Sequence, residues 1–391
     1  MTALGLFGVY LSTLAFFFSP LERTQNRVLM LFVAWILHLA ATLVYYDYFL
    51  THAADAQGYY NDPHHFYEKG VALGTWWVIF VVQSLKRLVG GTFLDYFLLF
   101  QAFGFWGVAI VMRTIEEIYA RFRVKPPDAI FIICWLPGIH FWTSSIGKDG
   151  LLFLACSLAV WGAMAPRSRW LALATAFVIM LLFRAHIALV AVIASAGATF
   201  LNKRKTLVQW LAMGILCVAV VVTIPTLKRA VFVDVTSAQS VSDFLETYSD
   251  ATRRAGGGSA LFASFPVRML SLFFRPLFFD TREMFGVVSS FENVAMIFII
   301  GTVAWNWRTV KGMSSQIFAV RFWLLFFVVL SLFLTYLYYN VGLGLRHRTM
   351  FMPALIALFA TVFAAGKGRC AAAHAASPSA MSGLHQAPHV S

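Results

Sequence analysis

Charge is what this chain has least of. Asp, Glu, Lys and Arg supply 12% of its 391 residues, about half the share of an ordinary soluble domain. Cysteine is nearly as scarce. The four cysteines, Cys134, Cys156, Cys217 and Cys370, are scattered and form no CxxC pair, which excludes a disulfide framework and a zinc knuckle. No nucleic-acid-binding motif is present, so the net charge of +13 points away from RNA or DNA and toward basic loops between apolar spans. The first residues, Met1-Thr2-Ala3-Leu4, lack a basic n-region and a cleavage site. The first span is therefore expected to be a retained helix with its N-terminus outside.

What is abundant is apolar length. Hydrophobic residues make up 60% of the chain and mean hydropathy is +0.76. Apolar segments run at about 2–19, 28–47, 93–112, 127–145, 150–165, 170–183, 187–201, 206–226, 284–305, 316–339 and 349–366. The expectation is an all-α, polytopic helical membrane protein with about 11 transmembrane helices. Segment 71–90 starts apolar but carries Lys86, Arg87 and Gly90-Gly91, and reads as an interfacial helix in the first outer loop. That choice puts Arg23/Arg27, Arg113 to Lys125, Arg167/Arg169, Lys203-Arg204-Lys205, Arg308/Lys311 and Lys367/Arg369 on one side, as the positive-inside rule asks. A membrane domain over 1–366 follows, with outer loops at about 48–92 and 227–283 and a disordered cytoplasmic tail at 367–391.

The charges that interrupt the spans then fall on the opposite face: Asp55, Lys148, Asp149, Arg184, Arg275, Asp280, Glu292, Arg346 and Arg348. Each such group costs about 2.5–3.5 kcal/mol at mid-helix on insertion scales, so it calls for a function. In the first outer loop Asp55 is followed by Tyr59 and Tyr60; one carboxylate beside aromatics suits a general base on a sugar hydroxyl. A solvated turn with an interfacial aromatic belt is the competing reading, and Asp47 and Asp62 are rivals. His52, His64 and His65 match no zinc spacing; a divalent cation at Asp55 with Asp62 is the alternative metal reading. Ser144 to Gly150 contains Gly147-Lys148-Asp149, in which Asp149 caps the next helix or Lys148 meets a phosphate. Arg184 and His186 divide two segments too short to span comfortably, a pattern that marks buried binding sites; one long helix with a snorkelling Arg184 is the alternative. Arg275-Pro276 sits among Phe273, Phe274, Phe278 and Phe279, ahead of Glu292-Asn293, and Asn340 to Arg348 places two arginines in a short outer loop. An arginine beside aromatics suits a polyprenyl phosphate, which offers an oxyanion and an apolar tail.

One base and several cations favour a particular reaction. Glycoside hydrolysis needs a carboxylate pair, whereas a glycosyl donor leaving as lipid phosphate needs cations and no general acid. An Asp and tyrosines in the first outer loop, then Ser-x-Gly-Lys-Asp, Arg-x-His, Arg-Pro…Glu-Asn and Asn-x-Gly-x-x-x-Arg-x-Arg, together resemble bacterial multi-pass proteins of exopolysaccharide and O-antigen assembly. The pattern is similar to GT-C-type glycosyltransferases and, more loosely, to O-antigen polymerases. The resemblance implies transfer of a sugar or glycan from an undecaprenyl-phosphate-linked donor to a glycan or lipid-linked acceptor, at the periplasmic face of the inner membrane. It places the base at Asp55 and the lipid phosphate at Arg275, Arg346 and Arg348, with Lys148, Arg184, His186, Tyr59, Tyr60, Glu292 and Asn340 as further substrate contacts. The chain departs from many GT-C enzymes in lacking a paired acid in that loop and a soluble C-terminal domain. A polymerase and a lipid-linked glycan flippase are the alternatives.

Overall fold

The computed structural model describes residues 2–19, 24–52, 55–63, 65, 67–68, 73–201, 214, 264–281, 284–337 and 341–375. Among these the chain is all-helical, with no strand. Six helices are long and apolar enough to cross a membrane: α3 (Gln25–Thr51), α6 (Phe93–Arg121), α9 (Trp170–Phe200), α11 (Met284–Trp305), α13 (Phe318–Leu337) and Val341–Arg369, the greater part of α14 (Val341–Ala375). The chain is a multi-pass transmembrane protein. Shorter elements fill the gaps: α1 (Ala3–Thr13), α2 (Ala15–Phe18), α4 (Asp55–Asn61), α5 (Thr75–Val89), α7 (Pro137–Thr143), α8 (Asp149–Gly162), α10 (Phe265–Phe274) and α12 (Trp307–Gln316). The segment expected at 206–226 and most of the loop at 227–283 lie outside the described residues. The expected tail is partly helix, because α14 continues to Ala375.

The centre of the bundle is α6, buried along most of its length. Helix α1 runs beside it in the same direction: Thr2 N–H donates to Asp95 Oδ1 at 2.8 Å and Arg113 Nη1 donates to Phe18 O at 3.1 Å. Helix α3 returns antiparallel, with Arg27 Nε 3.9 Å from Glu116 at one end and Tyr46 against Phe97, centroids 5.6 Å apart, at the other. Glycine makes these approaches feasible. A Cβ on Gly8 would sit 2.2 Å from the Leu98 carbonyl oxygen. The lower end is tied by ion pairs, Glu117 meeting Arg113 at 2.9 Å and Arg169 at 2.7 Å, and Arg27 meeting Asp128 at 3.0 Å.

Three expected spans take less regular forms. Segment 127–145 is a 3-10 stretch (Asp128–Trp135) followed by α7, broken where Pro137 opens the new helix. Segments 170–183 and 187–201 form one helical stretch that folds back at Arg184, the single residue with non-helical angles (φ −152°, ψ 86°). Its first limb packs antiparallel to α8, with Leu173 against Gly162 and Arg184 beside Asp149. Its second limb packs antiparallel to α13, with His186 against Phe333 and Gly197 against Leu325. Trp323 Nε1 bonds Val160 O at 2.9 Å, so Leu173 and Gly197 share one level. A straight 31-residue helix would be about 46 Å long and could not bring them there. The Leu182 carbonyl, freed at the break, accepts from Gly74 N–H at 2.8 Å.

These short limbs matter because they end early. Gly150 of α8 packs against Gly104 of α6, nine residues short of Asp95. Asp149 and Arg184 therefore form a floor about 14 Å below the upper end of α6.

A Gly8→Val variant has no room to relax, because its nearest neighbours are backbone atoms of Leu98 and Leu99. It should lose about 1–3 kcal/mol of stability, read as a lowered thermal midpoint in detergent. Wild-type stability in that variant would mean that α1 is not packed on α6.

Candidate functional site

Beside this floor lies a cavity of about 890 Å³. Its polar lining includes Asp55, Arg275, Asp280, Glu292 and Arg346, and its aromatic wall is Tyr45, Tyr48, Trp135, Phe141, Trp142 and Phe285. The cavity follows α3 from Leu37 to Phe49, a run of about 18 Å along the helix axis. At its flank Val44 of α3 and Met284 and Phe285 of α11 are exposed, so an apolar edge faces the surroundings between those helices.

The polar floor is built on Asp149. It stands in the first turn of α8, yet its carboxylate is committed to two guanidiniums rather than to a helix cap: Arg184 Nη2 lies 3.2 Å from Oδ1, and Arg346 Nε contacts Oδ2. The Asp149 side chain is 3% exposed. Arg346 then reaches past it, placing Nη1 3.0 Å from Asp55 Oδ2, whose side chain is 60% exposed. Arg346 thus joins a buried anion to an open one. Arg184 stays deep, donating also to Met350 Sδ at 3.7 Å, and does not snorkel.

The remaining expected residues separate into two groups. Arg275, Glu292, Asp55 and Arg346 line the cavity; Tyr59, Tyr60, Lys148, Arg184, His186 and Arg348 do not. Tyr59 is buried against the ion cluster, and burial followed by the charge of Asp55 pushes its phenol up from the ordinary value. Tyr60 turns away, donating to Gly91 O at 2.9 Å with Lys86 Nζ 3.7 Å above its ring. The aromatic lining of the cavity belongs mainly to α3, α7 and α11. Lys148 Nζ donates to Thr75 Oγ1 at 2.8 Å, and burial, with Arg184 beside it, pushes its ammonium down to about 8. His186 packs on Phe333, its Nε2 without a hydrogen-bond partner among the described residues.

Arg348 is a structural clamp. It is 2% exposed and donates to Leu272 O, Arg275 O and Asn293 Oδ1, while Asn293 Nδ2 donates to Pro276 O. These bonds fix the turn after α10 against α11 and α14. That turn presents Arg275, which is half exposed and bonded by Nε and Nη2 to Asp280 at 3.1 and 2.8 Å. The hydrogen bond from Arg275 holds the Asp280 carboxyl below the usual range. Asn340 lies outside the described residues. A divalent cation at Asp55 would compete with Arg346, and among the described residues no three His, Cys, Asp or Glu side chains gather as a metal site.

Sequence reasoning missed two parts of the site. Asp149 was legible as a helix-start acid but not as the shared partner of residues 35 and 197 positions away. The aromatic wall carried no separate signal, because Tyr45, Phe141 and Trp142 look like ordinary apolar-span residues. The chain matches no protein-family model, and comparison with curated proteins and with solved structures returns no significant match.

Removing one partner from a buried ion cluster costs about 3–5 kcal/mol, whereas an exposed pair contributes under about 1 kcal/mol. Asp149→Asn should therefore lower the thermal midpoint in detergent far more than Asp55→Asn. Equal effects would sink this division. For Lys148 the sign is also fixed: its folded value is lowered from 10.5 to about 8, so between those values the unfolded chain holds the extra proton. Stability should rise with pH across that window, and Lys148→Met should flatten the rise.

Proposed function

We propose that this chain is a membrane glycosyltransferase of surface polysaccharide assembly, transferring a sugar or glycan from a polyprenyl-phosphate-linked donor at the periplasmic face of a bacterial inner membrane. The observation that supports this most directly is a single cavity in which an apolar, laterally open groove leads to Arg346 and Arg275. A polyprenyl phosphate needs both features, an apolar trough for its tail and guanidiniums for its oxyanion. Both arginines are held by carboxylates with exposed edges or exposed partners, so an incoming phosphate exchanges one anion for another instead of paying for a naked cation. Asp55, which the sequence offers as the base, meets Arg346 here and acts as its counter-ion.

In this reading the basic loops face the cytoplasm, the chain has about eleven spans and α5 lies along the interface. Its amphipathic character supports that placement: Val78, Ile79 and Val82 are buried, while Lys86 and Arg87 stand in its last turn. An O-antigen or exopolysaccharide polymerase shares the donor chemistry and differs in acceptor length. A flippase would need a polar route onward to the other face. Toward its Leu37 end the groove is instead lined by the apolar Leu37, Ala41 and Trp135.

Undecaprenyl phosphate in detergent micelles is a direct probe. Arg346→Ala should weaken its binding about tenfold or more, as expected for a lost charge-assisted contact, and Asp55→Asn should tighten it by removing the competing anion. Unchanged affinity in both variants would refute the phosphate site. In cells, deletion of the gene should remove a sugar from the surface glycan if the chain is a transferase, and should leave single repeat units if it is a polymerase; an unchanged glycan profile would refute both.

A further inference from the structure

Three carboxylates line the cavity, and their surroundings differ. Asp55 is open to solvent and bound to Arg346, and Asp280 gives both oxygens to Arg275. Glu292 is different. It is 6% exposed, sits in the third turn of α11, and among the described residues forms no ion pair. Its Oε2 accepts from Gly138 N–H at 2.6 Å, and its other oxygen has no hydrogen-bond partner among those residues.

The seat of this carboxylate is shaped for it. A Cβ on Gly138 would fall 2.4 Å from Oε2 and 2.6 Å from Oε1, so any other residue there would displace the carboxylate from this seat. Asn293, the next residue, is fixed by Arg348 and by the Pro276 carbonyl, which holds the Glu292 backbone in register with the cavity. A catalytic group is useful when its support is rigid and a lone pair is uncommitted. Asp280 gives both oxygens to Arg275, and Asp55, with one oxygen on Arg346, stands open to solvent; Glu292 is buried, meets no guanidinium at ion-pair distance among the described residues, and keeps one oxygen without a hydrogen bond in the same chamber as Arg346 and Arg275.

Resting on the glycosyl-transfer reading above, we propose that Glu292, and not Asp55, is the proton acceptor of the reaction. The acceptor hydroxyl gives its proton to the free Glu292 oxygen as the hydroxyl oxygen forms its bond to the anomeric carbon. The bond from that carbon to the phosphate oxygen breaks, and its electron pair stays on the lipid phosphate. Arg346 and Arg275 meet the charge that develops there. The products are the glycoside, the polyprenyl phosphate or pyrophosphate, and a neutral Glu292 carboxyl that returns its proton to solvent through the mouth beside Asp55.

The test uses washed membranes of a host strain deleted for the gene and complemented with each full-length variant, with its own lipid-linked glycans as substrate. Release of polyprenyl phosphate is followed against pH, and undecaprenyl phosphate binding is measured on the purified variants. Glu292→Gln keeps an acceptor for Gly138 N–H, so it should bind undecaprenyl phosphate within twofold of wild type yet release product at least about 100-fold more slowly, the usual scale of general-base loss. Glu292→Asp retains a carboxylate and should keep at least a tenth of the wild-type rate, with the acidic limb of the pH profile intact; Asp55→Asn should keep that limb too. Glu292→Gln turning over within threefold of wild type, or equal losses in the Asp and Gln variants, would overturn the assignment. Should Glu292→Gln fail to accumulate, the comparison of Glu292→Asp with wild type decides: loss of the acidic limb while a carboxylate is present overturns the proposal. Wild-type membranes that release neither polyprenyl phosphate nor polyprenyl pyrophosphate would instead refute the glycosyl-transfer reading.

Discussion

Asp149 is the anion on which the polar interior depends. Its carboxylate, almost fully withdrawn from solvent, lies between Arg184 at the tip of the folded-back α9 and Arg346 near the start of α14. Burying three ionic groups is costly, and only mutual pairing in a fixed geometry offsets that cost. The pairing in turn determines the backbone. Arg184 must leave the helical path to point at Asp149, and α14 must begin close enough for Arg346 to reach both Asp149 and Asp55. Three distant stretches of chain are thereby locked around one oxygen pair.

The cavity lies between α3, the start of α4, α7, the turn after α10, α11 and the start of α14, and its wall is largely aromatic. Arg348 contributes from behind. By gathering the Leu272 and Arg275 carbonyls and Asn293 it fixes the rim that carries Arg275. Two arginines in one Arg-x-Arg motif therefore serve opposite ends, one facing the cavity and one holding its wall.

Much of the framework was legible. Long apolar runs gave the helical membrane class, and the predicted span at 284–305 coincides with α11 (Met284–Trp305). The break at Arg184 was also readable, because a cation at the junction of two short apolar segments has few stable placements besides a turn with a buried partner. Less legible was which charged residues are ligand-facing. Arg346 and Arg348 are two positions apart and chemically identical, and Tyr59 and Tyr60 adjacent; periodicity distinguishes their directions but not what lies in each direction. Segment 127–145 reads as a uniform span, yet Pro137 starts a new helix there, and that places Gly138 against Glu292.

The sequence by itself determined that the chain is apolar, helical and multi-pass, and that its interrupting charges form a limited set worth explaining. Those conclusions follow from composition and local periodicity, which act within one helix at a time. Only the folded arrangement makes Asp149 join Arg184 to Arg346, makes Arg348 a clamp, and seats Glu292 at the cavity on the Gly138 N–H. Charge pairing and burial depend on neighbours 35 to 197 residues away, and their energy is set by distances and desolvation that no single segment encodes.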